Sequence, residues 1–234
     1  MFPTVARFVF AGGLLAIGVQ NLVCGDFLPE LQPVPDWVAG RSGLAYAVGA
    51  IVIGAAAFVI AGRHVQRAAR VLVVVLGLWV VALHAPQLIA NPSNGGAWTS
   101  ALEILAFAAA AWLLAVAPHA AIAKLVFGCT FVGFAILHVI YADYVAFVIP
   151  AWIPGHVFWA YATAAAHAAA GLAIASGVVA RIAAIMLGAM LGSWVLLLHL
   201  PRVVEANTRP EWTSMLVALT MCGAAWVVAV RSRE

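Results

Sequence analysis

Residues 71–90, VLVVVLGLWVVALHAPQLIA, contain no aspartate, glutamate, lysine or arginine. An apolar run of about 20 residues is long enough to cross a hydrocarbon core of about 30 Å as a helix. Eight such runs can be drawn, over residues 5–23, 43–61, 71–90, 98–117, 122–141, 157–177, 182–203 and 212–230. None of them alternates apolar and polar residues as the strands of a membrane barrel do. The sequence therefore predicts an all-α membrane protein with eight transmembrane helices.

The composition supports this fold class and limits the functions to consider. Apolar residues make up 66% of the chain and charged residues 8%, with a mean hydropathy of +1.11, whereas about a quarter of the residues of a soluble domain are charged. The expected surroundings are the lipid bilayer and molecules that dissolve in it, and no nucleic-acid partner is expected. The chain has no Walker loop and no dinucleotide, metalloprotease or serine-hydrolase motif. Its three cysteines form no Cys-x-x-Cys pair, so no metal site is expected.

The charges predict how the chain is oriented in the membrane. Three basic residues, Arg41, Arg202 and Arg209, lie in the odd-numbered loops. The other eight lie at the two ends of the chain or in the even-numbered loops: Arg7, Arg63, Arg67, Arg70, Lys124, Arg181, Arg231 and Arg233. Because basic residues concentrate on the cytoplasmic side, both termini are expected in the cytoplasm. We expect a multi-pass protein of the cell's inner (plasma) membrane.

The two halves of the chain match at an offset of 115 residues. Tryptophan and histidine are rare, and pairs such as Trp79 with Trp194 and His84 with His199 are hard to obtain by chance. The same offset aligns Pro35 with Pro150, Trp37 with Trp152, Gly40 with Gly155, Tyr46 with Tyr161, Gly62 with Gly177 and Pro86 with Pro201. We therefore expect two four-helix repeats, residues 1–118 and 119–234, joined near residues 119–124 into one membrane domain. Since each repeat has an even number of spans, the repeats should be parallel, with an axis along the membrane normal.

Each repeat also resembles the DoxX-like family of four-helix membrane proteins. The resemblance rests on an outer loop that ends in Pro-x-Trp, at Pro35 and at Pro150, followed by a Gly-rich second span, a short basic inner turn and a third span that ends near a histidine. It covers nearly the whole chain, with two units fused where the family usually has one. The resemblance implies a four-helix bundle in each half and an association with membrane oxidoreductase systems, including quinone-linked sulfur oxidation.

Polar side chains within the spans concentrate in the outer half of the membrane. At 1.5 Å per residue, His84 and Gln87 lie in the outer part of the third span, and His199 and Arg202 lie at the matching height in the seventh. Glu103 and His138 also fall in the outer half, whereas His167 lies deeper. Ionisable residues within a membrane usually face the interior of a helix bundle. We expect an outward-facing cavity lined by His84, Glu103, His138 and His199; the alternative is that these are interfacial groups close to water.

The repeated His-x-Pro sequence marks the third and seventh spans. Pro86 cannot donate a hydrogen bond to the carbonyl of Ala82, nor Pro201 to that of Leu197. Such a proline either kinks the helix and frees a carbonyl, or ends the membrane span. In either case the two histidines should be related by the pseudo-twofold axis, and histidine can bind a metal or haem, relay protons or donate to a quinone.

Three classes of function fit these observations. In the first, the cavity holds a lipophilic small molecule between His84 and His199, with a quinone or a haem as the candidate cofactor, and the protein works with a membrane redox partner. In the second, the protein is a non-catalytic scaffold or assembly factor. In the third, it is a transporter, which the internal repeat favours and the apolar inner half of the membrane disfavours. The candidate ligand-binding residues are His84, Gln87, Glu103, His138, His199 and Arg202.

Overall fold

The computed structural model describes residues 1–116 and 121–232, and every regular element in this part of the chain is helical. We number the helices α1 to α9 in chain order. Their bounds are Phe2–Cys24 (α1), Arg41–Ile60 (α2), Val65–Ala90 (α3), Gly95–Ala115 (α4), Ala121–Ile140 (α5), Ala142–Val148 (α6), His156–Ser176 (α7), Ala180–Ala206 (α8) and Arg209–Arg231 (α9). The junction expected between the repeats, at residues 118 and 119, lies outside the described residues.

All of these helices except the short α6 are long and apolar enough to cross a membrane. Many of their large apolar side chains, including those of Phe58, Leu78 and Leu172, are exposed on the outside of the bundle. Apolar side chains on an exposed helix surface are stable in lipid and costly in water. The prediction of an all-α, multi-pass membrane protein is therefore confirmed.

Local sequence signals define where the helices begin and end. The side chain of Asn94 caps α4, since its Oδ1 accepts a hydrogen bond of 3.0 Å from the amide of Ala97. Gly40 and Gly155 precede α2 and α7 with left-handed backbones, at φ of 69° and 74°. This conformation is common for glycine and strained for residues with a Cβ. The two glycines are 115 residues apart.

Helices α4 and α9 lie at the centre of the bundle. In their apolar windows 61% and 67% of the residues are buried, against 17–39% in the other six spans. Helix α9 packs against α1, α4 and α8, while α4 packs against α3, α5 and α9. The first long helix of each half thus contacts the last helix of the other half, because α1 packs on α9 and α5 packs on α4. The eight spans therefore form one bundle around a shared core.

Both histidine–proline segments contain a turn of π-helix. The turns cover Val80–His84 and Val195–His199. In each turn a backbone amide donates to the carbonyl five residues earlier, from Ala85 to Val80 and from Leu200 to Val195. An α-helical turn would push the proline ring against the carbonyl four residues earlier, and the wider turn relieves this clash. The helices then continue to Ala90 and Ala206, so neither proline ends its helix.

The loop between α1 and α2 folds back onto the first half. Leu28 and Leu31 are fully buried in the core cluster. The amide groups of Asn21 and Gln32 hydrogen-bond each other reciprocally, at 2.6 and 3.2 Å, and both residues are fully buried. In the second half, the corresponding connection contains the short helix α6, which was not predicted. The outer ends of the two halves are therefore built differently, while the superposition of the halves stays a prediction.

Candidate functional site

A cavity of about 880 Å³ lies between the two halves. We call it the outer cavity, after the side of the membrane that the sequence predicts it to face. Helices α4, α5, α7, α8 and α9 form its walls, and α6 together with the α1–α2 loop lies at its mouth. Its lining extends from Glu30 and Asn94 in the outer loops to His167 and Met221 within the spans. His167 is eleven residues from the start of α7, which corresponds to a depth of about 16 Å. The cavity therefore reaches about halfway across the membrane.

His138 and His167 form a pair of imidazoles on the wall of the outer cavity. Their rings meet edge to face, with centroids 4.8 Å apart. Nδ1 of His138 lies 2.9 Å from the carbonyl oxygen of Phe134. Because a carbonyl oxygen can only accept, Nδ1 of His138 carries the proton in this contact. In the neutral ring, Nε2 of His138 is then an acceptor.

His167 is the most unusual polar residue of the cavity. The side chain packs against Phe131 and Phe134, at centroid distances of 5.5 and 6.1 Å, and the residue is only 6% exposed. Both of its ring nitrogens are buried and neither has a hydrogen-bond partner. A buried polar group without a partner costs about 1 to 3 kcal/mol. His167 therefore lines the cavity with one donor and one acceptor that the described part of the protein leaves unsatisfied.

Glu103 on α4 also lines the outer cavity, among side-chain hydroxyls that are already engaged. Thr99 donates to the carbonyl of Gly95 at 2.9 Å, and Thr163 donates to that of Trp159 at 2.8 Å. Glu103 itself forms no ion pair or hydrogen bond within the described residues. Its carboxyl group is therefore available to a molecule in the cavity.

His199 ends the π-turn of α8 at the outer level of the cavity. Its Nδ1 is buried and has no partner. The neighbouring Arg202 does not line the cavity, because its guanidinium pairs with Glu211 at 2.8 Å, where α8 meets α9. The structure thus assigns Arg202 a role in joining two helices.

The structure brings together some of the residues expected at the site and separates others. Gln87, Glu103, His138 and His199 line the outer cavity. His84 does not: it is only 1% exposed, faces the backbone of Leu31, and has no well-formed hydrogen bond at either ring nitrogen. The buried α1–α2 loop therefore places His84 away from the outer cavity, and His84 does not face His199 across it.

The sequence identified His167 as a deep exception and did not assign it to the site. A histidine within a membrane span is energetically costly, and this cost was the signal that could have assigned His167 to the site. His167 lines the cavity because of the rotation of α7 about its axis, which directs the side chain towards His138 and two phenylalanines. Residue depth alone does not reveal that rotation.

The mouth of the cavity is held by contacts between the two halves. The hydroxyl of Tyr141 donates to the carbonyl of Ser93 at 3.0 Å, and the tyrosine ring packs so closely on Gly95 that a Cβ there would overlap it. Glu30, from the α1–α2 loop, pairs with Arg209 at 3.6 Å. These contacts connect the outer loops around the entrance.

The donor set resembles a hydrogen-bonding site more than a metal centre. No group of three or more His, Cys, Asp or Glu side chains placed to hold a metal ion occurs in residues 1–116 and 121–232. The touching rings of His138 and His167 leave no space for a haem plane between them. The available groups instead suit a ligand that donates and accepts hydrogen bonds.

Comparisons of the chain with protein-family models, with curated proteins and with solved structures find no match. The resemblance to DoxX-like proteins thus rests on the Pro-x-Trp loops, the basic inner turns and the helix layout of this chain.

Proposed function

We propose that the protein binds a lipophilic molecule with a quinone-type ring in the outer cavity, as a component of a membrane redox system. The observation that carries this proposal is His167, whose two buried ring nitrogens have no partner within the protein. A ligand that pairs with them would offset the cost of their burial. The lining also contains apolar and aromatic side chains that suit a ring or a tail, including those of Phe131, Leu191 and Val217.

The polar groups of the cavity fit the reduced and the oxidised forms of such a ring differently. Nε2 of His138 accepts hydrogen bonds when the ring is neutral, which suits the hydroxyl of a quinol. His167 provides one donor and one acceptor, so it can serve a carbonyl or a hydroxyl oxygen. Glu103 lines the same cavity and can hold or release a proton. The redox role itself follows from the resemblance to DoxX-like proteins.

Haem fits this site less well than a quinone. A haem held by two axial imidazoles needs them on opposite faces of its plane, whereas His138 and His167 contact each other directly. His84, the partner expected for His199, lies under the α1–α2 loop and does not line the cavity. We therefore prefer a ligand held by hydrogen bonds.

The test is binding of decylubiquinone and its quinol to the full chain in lipid nanodiscs. Because one hydrogen bond contributes about 0.5 to 1.5 kcal/mol, His167→Leu should weaken binding by up to about tenfold. Glu103→Gln keeps the shape of the side chain and should change the preference between quinol and quinone. His84→Leu is the matched control, since it removes a buried histidine that does not line the cavity.

Each outcome distinguishes the candidate functions. Weaker binding in His167→Leu with normal binding in His84→Leu supports the proposal. If neither probe binds the parent protein, and organic extraction of the purified protein releases no quinone, the ligand proposal is wrong and the scaffold function is favoured. Uptake of a probe into sealed vesicles that contain the protein would instead favour a transporter.

A further inference from the structure

A second cavity lies at the opposite end of the bundle, on the side predicted to face the cytoplasm. It has a volume of about 360 Å³ and lies between the ends of α1, α3, α4 and α9. We call it the inner cavity. Arg7 from α1, Arg231 from α9 and Gln66 from α3 supply its polar lining, and Leu114, Val227 and Val230 supply part of its apolar wall.

Two arginine side chains line the inner cavity, and no acidic side chain lines it with them. Neither Arg7 nor Arg231 forms an ion pair with an acidic residue in residues 1–116 and 121–232. Nε of Arg7 is buried and lacks a hydrogen-bond partner, and its terminal guanidinium nitrogens lie against Gly62. Like charges repel each other, and an anion between them offsets that repulsion.

The first turn of α3 adds backbone donors to the same place. Val65 and Gln66 both line the inner cavity, at the first positions of the helix. His64 precedes them without a side-chain cap, and its carbonyl accepts from the amides of Arg67 and Ala68. The amides of Val65 and Gln66 make no hydrogen bond in the described residues. Free amides at a helix start, together with guanidinium groups, are the donor set that binds phosphate.

We propose that the inner cavity binds a phosphate group, carried either by an anionic lipid headgroup or by a free phosphate ion. The arginines and the α3 amides surround the phosphate oxygens. The apolar side of the cavity, including Leu114 and Val230, accommodates the glycerol and the first methylenes of a lipid. Basic pockets between transmembrane helices on the cytoplasmic side are known places for anionic headgroups.

The first experiment uses the unaltered protein. Phenylglyoxal modifies accessible arginines, and peptide mass spectrometry reports the extent at Arg7, Arg231 and Arg70. Labelling is compared in phosphatidylcholine nanodiscs, in the same nanodiscs with 10 mM inorganic phosphate added, and in nanodiscs that contain phosphatidylglycerol. We expect protection of Arg7 and Arg231 but not of Arg70, which is exposed and outside the cavity. Protection by phosphatidylglycerol alone identifies a lipid, and protection by inorganic phosphate identifies a free ion.

The second experiment uses variants in native mass spectrometry. Arg7→Gln and Arg231→Gln should each reduce the retained phosphatidylglycerol or phosphate about tenfold or more, since each removes charge-assisted hydrogen bonds. Arg70→Gln is the matched control and should retain the parent level. Equal labelling of Arg7 in all three conditions would overturn the proposal, whether or not the variants fold. So would equal retention by the two cavity variants and the control.

Discussion

His167 provides a residue-scale test of whether the outer cavity is a site or only a packing defect. In protein without ligand, His167→Leu replaces two unpaired nitrogens with apolar atoms of similar volume. Removing an unsatisfied buried polar group should raise the free energy of unfolding by about 1 to 3 kcal/mol. The measurement is the thermal unfolding midpoint of ligand-free protein in detergent.

His156→Leu is the control for that measurement, because His156 begins α7 and does not line the cavity. Its effect should stay within about 0.5 kcal/mol, as is usual for substitutions away from special features. If His167 serves a function at a cost in stability, replacing it should raise the midpoint. If its role is structural, replacing it should lower the midpoint. A lower midpoint in His167→Leu would therefore contradict the functional role of His167.

Asp26 connects the outer loop to α2 through its ion pair with Arg41. The guanidinium of Arg41 donates a hydrogen bond of 2.6 Å to Asp26, and this contact lowers the pKa of the Asp26 carboxyl below its usual value. A carboxyl with a lowered folded-state pKa stabilises the protein above its unfolded pKa, which is about 3.9. That stabilisation is lost as the pH falls through the folded-state value.

We therefore expect Asp26→Asn to lower the thermal midpoint at pH 7, with the difference from the parent shrinking below about pH 4. Asp36→Asn is the control, because Asp36 also contacts Arg41 but its carboxylate is fully exposed and should contribute little. Unfolding is followed in detergent from pH 3 to pH 7. An equal difference at both ends of this range would show that the loss does not come from the charge of Asp26.

Part of the cavity lining could be predicted from the sequence, and the direction of each side chain could not. Glu103, His138 and His199 were expected to line one cavity, and all three line the cavity that the structure contains, while the side of the membrane it faces stays a prediction. His84, like His199, follows a leucine and precedes a proline by two residues, yet it lies beneath Leu31. Leu31 belongs to a loop that the reciprocal amide pair of Asn21 and Gln32 joins to α1, and spacing along the chain does not reveal this contact.

At the scale of elements, the sequence predicted the eight long helices but not the short helix or the packing of the loops. Long apolar runs determine the eight spans because the bilayer sets their length. The short helix Ala142–Val148 and the burial of the α1–α2 loop depend on tertiary contacts, and neither was predicted. The prolines were expected to break regular α-helical bonding, and the π-turns that accommodate them lie at the same two histidines.

The crossing of α5 and α7 depends on a pair of glycines that face each other. A Cβ added to Gly171 would lie 2.6 Å from the carbonyl oxygen of Gly128, closer than real Cβ contacts. Because backbone cannot move aside as a flexible side chain can, Gly171→Ala must separate the two helices. Overpacking of this kind costs about 1 to 3 kcal/mol. We expect a lower thermal midpoint and a disturbed outer cavity, since His138 and His167 lie on these helices.

Gly54→Ala is the matched control for this element, because a Cβ at Gly54 meets nothing within 4 Å. Alanine favours a helix by about 1 kcal/mol over glycine, so this variant should match or exceed the parent. The two variants are compared by thermal unfolding in the same detergent. Equal stability of Gly171→Ala and the parent would show that the α5–α7 contact tolerates separation.

The two halves that the sequence predicts to be repeats carry different residues at the same end of the bundle. His84 and His199 both end π-turns, yet the first half fills its outer end with Leu28 and Leu31, while the second contributes His138 and His167 to a cavity. At an offset of 115, His138 and His167 correspond to Val23 and Val52. Under the proposed function, the first of these residue sets packs the core and the second lines the ligand site. This division of roles explains why the paired histidines need not share one ligand.

The orientation of the whole molecule provides the last prediction. Eight of the eleven basic residues lie at the chain ends or in the loops on the same side, and basic residues near span ends are retained in the cytoplasm. With an even number of spans, both termini then face the cytoplasm, the inner cavity faces anionic lipid of the cytoplasmic leaflet, and the outer cavity opens to the other side. Fusing green fluorescent protein to the C-terminus should give fluorescent cells, whereas an alkaline phosphatase fusion there should be inactive. The same two reporters joined after Asn207, between α8 and α9, should give the opposite pattern. Alkaline phosphatase activity from the C-terminal fusion would reverse the topology, and it would place the arginines of the inner cavity on the outer surface.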